Sequence, residues 1–156
     1  MKGNRKVAFI VYHIFKTTPS FAFLPLRMAL GLIFFVHGSQ KLFGWFGGKG
    51  LEATALSFAE KFHLIPGILW ASLAGGGEFL GAILLFLGLA TRLAAFNLVV
   101  IMSVAILVVH RHAFFVHDGG MEYALSLWAG SLSLVVGGGG FFSLDQKISR
   151  RIGGAE

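Results

Sequence analysis

The 156 residues are 56% apolar and only 13% charged, with a mean hydropathy of +0.79. Soluble domains carry about 25% charged residues, so this balance belongs to a membrane protein, and hydrophobic spans with their loops leave no length for a separate soluble domain. The net charge of +6 requires no nucleic acid, because basic residues flanking apolar spans set topology, and the absence of cysteine excludes disulfides, thiolate ligands and thiol redox chemistry by this chain alone.

In chain order, Lys2, Arg5 and Lys6 precede a short apolar run from Val7 to Phe15. No small-x-small cleavage site follows before Thr17, Thr18 and Pro19, so residues 1–24 read as a retained cytoplasmic and interfacial segment. A helix needs about 20 apolar residues to cross the hydrocarbon core. Four runs are expected to do so, at about 25–43, 68–90, 93–112 and 122–142. Pro25 falls in the first turn of the first run, where its missing N–H costs nothing. Pro66 and Gly67 launch the second, and Thr91 with Arg92 joins the second to the third in a tight hairpin.

Between the first two spans, Leu51, Ala55, Phe58, Ala59 and Phe62 recur at helical spacing, with Glu52, Glu60 and Lys61 on other faces. That pattern predicts a short amphipathic helix on the bilayer surface, with Trp45 and Phe46 at headgroup level. After Gly137–Gly140, Ser143 and Gln146 form a capping pair, and residues 143–156 read as a basic cytoplasmic segment with Lys147, Arg150 and Arg151. The fold expected is an all-α membrane protein, four transmembrane helices in an up-down antiparallel bundle over residues 25–142. Eight basic residues on the side of the termini against four on the other place both termini in the cytoplasm.

The informative residues are polar ones inside the spans. Glu78 lies about ten residues from either end of its span, near the bilayer midplane, where a carboxylate costs on the order of 3 kcal/mol unless it is paired, protonated or solvated. On the first span, Arg27, His37 and Lys41 share one helical sector with Gly31 and Gly38. Counted from the outer ends, Glu78 is roughly 15 Å deep, His37 about 10 Å and Arg27 about 25 Å, so His37 or Arg27 is the expected partner. A register-fixing ion pair and a functional polar cavity both satisfy this pattern.

A second group gathers at the outer side: His110, Arg111, His112, His117, Asp118 and Glu122. Solvated histidines account for it as readily as a site does. His112, His117 and Asp118 match no familiar zinc spacing, and His37 and His110 differ in depth by roughly 7 Å, so neither metal nor haem is expected. Asn97 reads as a bridge between helices. A quinone fits better. Its head group needs an apolar slot, hydrogen-bond donors at two carbonyl oxygens and proton exchange near the interface. Glu78 and His37 are the candidate proton-handling, catalytic groups, with Arg27, Lys41, His110 and Glu122 as candidate quinone-binding groups.

The run His37-Gly38-Ser39-Gln40-Lys41-Leu42-Phe43-Gly44, preceded by Arg27 and Gly31, resembles the first-helix signature of the DoxX family. So do Gly76-Gly77-Glu78-Phe79-Leu80-Gly81, then Leu87-Gly88-Leu89 with Thr91-Arg92, and the closing Phe142-Ser143-Leu144-Asp145. The resemblance covers about Phe23 to Asp145 and implies a four-helix protein of the bacterial inner membrane. The family takes its name from the membrane subunit of a thiosulfate:quinone oxidoreductase, which implies an accessory or quinone-interacting role beside a soluble or membrane oxidoreductase partner. Arg27, His37, Lys41 and Glu78 are the positions that match its polar motif residues. A non-catalytic scaffold recruiting a soluble partner, and a small-solute or proton transporter, remain the alternative readings. Homo-oligomerisation is left open.

Overall fold

The computed structural model describes residues 14–153. The expected interfacial segment therefore lies mostly outside the described residues. Every regular element described is helical: α1 (Phe23–Phe43), α2 (Gly50–Phe62), α3 (Gly67–Leu87), α4 (Thr91–Val104), α5 (Glu122–Gly137) and α6 (Leu144–Gly153). Helix α1 stops where Gly44 turns left-handed at φ 73°, a conformation glycine adopts without a Cβ penalty. Helix α4 runs on through a wider π turn, Ala105–Val109, closed by the His110 amide on the Ala105 carbonyl at 2.9 Å.

Among the described residues, three helical stretches are long and apolar enough to cross a membrane: Phe23–Phe43, Gly67–Leu87 and Thr91–Val109. The expected spans at 68–90 and 93–112 are shifted because Gly88, at φ 61°, ends α3 early and the next helix starts at once. The expected span at 122–142 is cut at Gly137. Gly138 (φ 76°, ψ −163°) and Gly140 (φ 68°) unwind the chain there, leaving α5 with 16 residues. At 1.5 Å per residue that is about 24 Å, short of the roughly 30 Å hydrocarbon core.

Small residues fix how these helices meet. Antiparallel α1 and α3 make the broadest contact, with Gly31 against Phe86, Gly38 against Phe79 and Gly75 against Leu42. Across α3 and α4, Gly81 faces Leu98, and the Asn97 amide donates to the Gly77 carbonyl at 3.0 Å, the bridge its position in the sequence predicts. Trp128 Nε1 donates to Ser103 Oγ at 3.0 Å between α5 and α4, while Gly130 of α5 lies against Leu26 and Leu30 of α1. The four helices thus close a ring, α1–α3–α4–α5, around Phe34, Leu85, Leu98, Met102 and Leu134. Leu32, Leu80, Leu107 and Val136 point outward and stay exposed, which suits lipid.

The bundle has two ends: a turn end, with the α3–α4 turn, and a loop end, with α2 and the 110–121 loop. Helix α2 does not simply rest on the bilayer surface. It packs against the first turns of α3, burying Thr54 and Ala55, and Gly67 touches the Ala55 carbonyl too closely to carry a side chain. Leu42, at the last turn of α1, lies opposite Gly75, so α3 extends about two turns past α1 at the loop end.

A Cβ on Gly38 would stand 2.6 Å from the Phe79 backbone nitrogen, whereas one on Gly76 would meet nothing within 4 Å. Gly38→Ala is expected to destabilise the protein by about 1–3 kcal/mol through overpacking, and Gly76→Ala to leave it unchanged or slightly firmer. Thermal unfolding of both variants in detergent checks this; equal midpoints would refute the packing argument.

Candidate functional site

The loop-end cluster is built on the α1–α3 contact. Glu78 is 2% exposed and is held by Lys41, whose ammonium lies 2.6 Å from its Oε2. His37 or Arg27 is the partner the depth count predicts, and neither of them holds Glu78. That count assumed level helix ends; the extra turns of α3 set mid-helix Glu78 opposite the last turns of α1. The side chain of Lys41 remains 25% exposed, so one end of this pair reaches a wetter environment. His37 lies one turn below Lys41 on the same helix and is half-buried, with its ring 6.2 Å from that of Tyr123. Tyr123 in turn lines an open pocket of about 280 Å³ with Val116, Glu122 and Ser126. Glu122 braces the pocket wall, its Oε1 accepting the Val116 amide at 2.6 Å.

Of the candidate residues, then, Lys41 and Glu78 are in contact, His37 is adjacent, and Tyr123 links them to the pocket that Glu122 lines. His110 is engaged elsewhere, its Nδ1 lying 2.7 Å from the Gly119 carbonyl, where it ties down the loop. His117 pairs with Asp118 at 3.2 Å in solvent, and among the described residues no group of three His, Asp or Glu side chains gathers around a common point. Tyr123 is the residue sequence reasoning missed. An aromatic at a helix start resembles an interfacial anchor, and only the α1–α5 packing places it beside His37.

Arg27 belongs to a different structure, at the turn end. It is 1% exposed, and its Nη2 donates to the Phe142 carbonyl at 3.1 Å while the guanidinium lies on the bare backbone of Gly88. Its neighbour is Asp145, also 1% exposed, whose two carboxylate oxygens accept the Ala90 and Thr91 amides at 2.6 and 2.8 Å. Those are orphan donors at the start of α4, where the helix dipole also favours an anion. The Asp145 amide donates back to the Gly88 carbonyl at 2.9 Å, and Ser143 caps α6 through the Gln146 amide at 3.1 Å, as the Ser143/Gln146 spacing predicts. Burial pushes the Asp145 carboxyl above the usual carboxylate range, against the pull of the Thr91 and Ala90 hydrogen bonds and the Arg27 charge. Ala90 and Phe142 are both left-handed, at φ 47° and 57°, so the clamp holds two non-glycine residues in a costly conformation.

The DoxX family model matches residues 22–111, which takes in α1 to α4 and both clusters' α1 and α3 residues. Among curated proteins, one from Bacillus subtilis (strain 168) with the name "Putative oxidoreductase CatD" is 33% identical over 125 residues, 80% of this chain and 85% of that protein. Two Haemophilus influenzae proteins, each called "Uncharacterized protein", are 32% and 31% identical, covering 81% of this chain and 83% and 90% of their own lengths. No solved structure matches.

Removing one partner of a buried pair strands the other. Lys41→Ala is expected to lower stability by about 3–5 kcal/mol, and combining Lys41→Met with Glu78→Leu to recover most of that loss. Denaturation in mixed micelles reads both; a double variant no better than the single one would contradict the pairing. Asp145→Ala should also destabilise, by roughly 1–3 kcal/mol for the unsatisfied amides alone, seen as faster amide exchange at Ala90 and Thr91.

Proposed function

This chain belongs to the DoxX family of membrane proteins, and from that premise we propose that it serves as a quinone-interacting membrane subunit of an oxidoreductase complex. The observation that carries the reading is the deep Glu78–Lys41 pair, continued through His37 to Tyr123 at the rim of an open pocket. Support also comes from the Bacillus relative, whose printed name is that of an oxidoreductase. The pocket is at the small end for a ligand site, which suits a ring-sized head group whose tail lies along the lipid-facing surface.

A quinone bound there accepts two electrons and two protons as it becomes the quinol. The residues of this chain do the positioning and the proton work. The Tyr123 hydroxyl supplies a hydrogen-bond donor at the pocket. His37, one turn from Lys41, is placed to pass a proton between the rim and the buried pair, and Glu78 to hold one at depth. The electrons come from an oxidoreductase partner. Phe114, Phe115 and Val116 expose large apolar surface beside the pocket, which favours docking of that partner at the loop end and equally suits a scaffold that only recruits.

In this reading α5 and the following residues 138–142 together make the fourth crossing. Irregular backbone is tolerated at membrane depth when protein covers it, and Gly137–Gly140 are all buried. Both termini then face the cytoplasm of a bacterial inner membrane, with the quinone pocket on the outer side.

The test is titration of the protein in nanodiscs with a short-chain benzoquinone, followed by tryptophan quenching. Saturable binding is expected, weakened about tenfold or more by Glu78→Gln and by His37→Ala, equivalent to about 1.4 kcal/mol, with Asn97→Ala as the unaffected control. Absence of saturable binding to the folded wild type would end the proposal.

A further inference from the structure

The turn end carries a charge imbalance that the quinone reading does not use. Lys16, Arg92, Lys147, Arg150 and Arg151 all lie there, and among the described residues the one carboxylate at this end is Asp145, buried and spent on the Ala90 and Thr91 amides. The loop end is close to balanced by contrast, with Glu52, Glu60, Glu78, Asp118 and Glu122 set against Lys41, Lys49, Lys61 and Arg111. Two of these turn-end residues are tied into the bundle, Arg92 through its side chain and Lys16 through its backbone carbonyl. Arg92 donates to the Val135 carbonyl at 2.7 Å and to the Lys16 carbonyl at 2.8 Å, closing the last turn of α5 and fixing the entering chain.

The remaining three cations stand on α6. At 100° per residue, Asp145 and Ser149 mark one side of this helix, while Lys147, Arg150 and Arg151 centre on the opposite side, about 180° around. Asp145 and Ser143 are buried in the bundle, so the clamp fixes the roll of α6 and leaves all three basic residues exposed. Among the described residues the nearest acidic side chain in sequence is Asp145, which lies on the buried side of α6 and is held by the Ala90 and Thr91 amides. The same exposed edge carries Leu144, and Phe142 immediately before it is 74% exposed. A helix meant for bulk water gains nothing from exposing a phenylalanine and a leucine beside three cations; the headgroup layer of an anionic membrane accommodates both kinds of group.

We propose that α6 is a lipid-binding foot, seated in the headgroup layer at the turn end with Lys147, Arg150 and Arg151 on anionic phospholipid headgroups and Phe142 and Leu144 at the acyl boundary. Charge complementarity selects the occupant: a row of exposed cations with adjacent apolar side chains matches an anionic lipid surface. Each basic residue near such a surface strengthens the attachment roughly fivefold. The Asp145 clamp supplies the rigidity, since α6 cannot roll without uncapping α4. This inference is independent of the quinone reading, because it concerns the other end of the molecule.

Hydrogen exchange of the full-length protein in nanodiscs tests it, comparing phosphatidylcholine alone with a mixture containing phosphatidylglycerol. Amides of residues 144–151 are expected to exchange about tenfold more slowly in the anionic discs, with the difference shrinking as salt rises. The Lys147→Gln/Arg150→Gln/Arg151→Gln variant should lose the difference while α1 to α5 keep their wild-type protection, and Lys61→Gln at the loop end should retain it. Equal exchange of α6 in the two lipids, or a lipid effect surviving in the triple variant, overturns the proposal.

Discussion

A backbone group left bare at the edge of hydrocarbon has no water to turn to, and the ends of the helices are where this chain meets that constraint. Three charged side chains answer it at the turn end. Asp145 takes the first amides of α4, Arg92 takes a carbonyl from the last turn of α5, and Arg27 takes the carbonyl of left-handed Phe142. None of the three is a simple ion pair. Each spends its charge on peptide groups, and each ties together segments far apart in the chain. The short α5 and its unwound glycine segment are tolerable because these side chains, with Thr17 and the Gly137 carbonyl's bond from the Thr18 amide, leave little of that backbone unpaired.

The turn end is closed by such bonds, whereas the loop end holds a direct ion pair, Lys41 with Glu78. Lys41 is the contrast to Arg27. Both come from α1, but Arg27 is sealed against Gly88, whereas Lys41 reaches from a partly wet position to a carboxylate that is almost fully enclosed. The planar guanidinium of Arg27, laid on peptide groups, suits a fixed strut; the ammonium–carboxylate pair of Lys41 and Glu78 sets two charged groups side by side, and that difference matches the roles argued for the two ends.

Much of this was legible in the sequence. The apolar runs with their Pro and Gly punctuation gave α1 and α3 to within a few residues, and the Asn97 bridge and the Ser143 cap were real as well. The pairing of Glu78 was not legible, because it depends on how far one helix overshoots another, and that offset is set by α2 packing on the start of α3. The end of α5 at Gly137 was missed because four glycines in an apolar run look like tight helix packing until their dihedral angles are known. Asp145 stood out only as part of a motif; no local pattern reveals that a side chain near the C-terminus caps a helix that starts 54 residues earlier.

That separation has a consequence for biosynthesis. The ribosome delivers Ala90 and Thr91 to the membrane well before it makes the carboxylate that receives their amides, so α4 must enter the bilayer with its first turn open. Only after the whole of α4 and α5 has been made can Asp145 swing into place beside Arg27 and draw Phe142 into its left-handed turn. Seating of α6 thus follows insertion of α4, and a chain that stopped before Asp145 would present the quality-control machinery of the cell with an unfinished seam at one face.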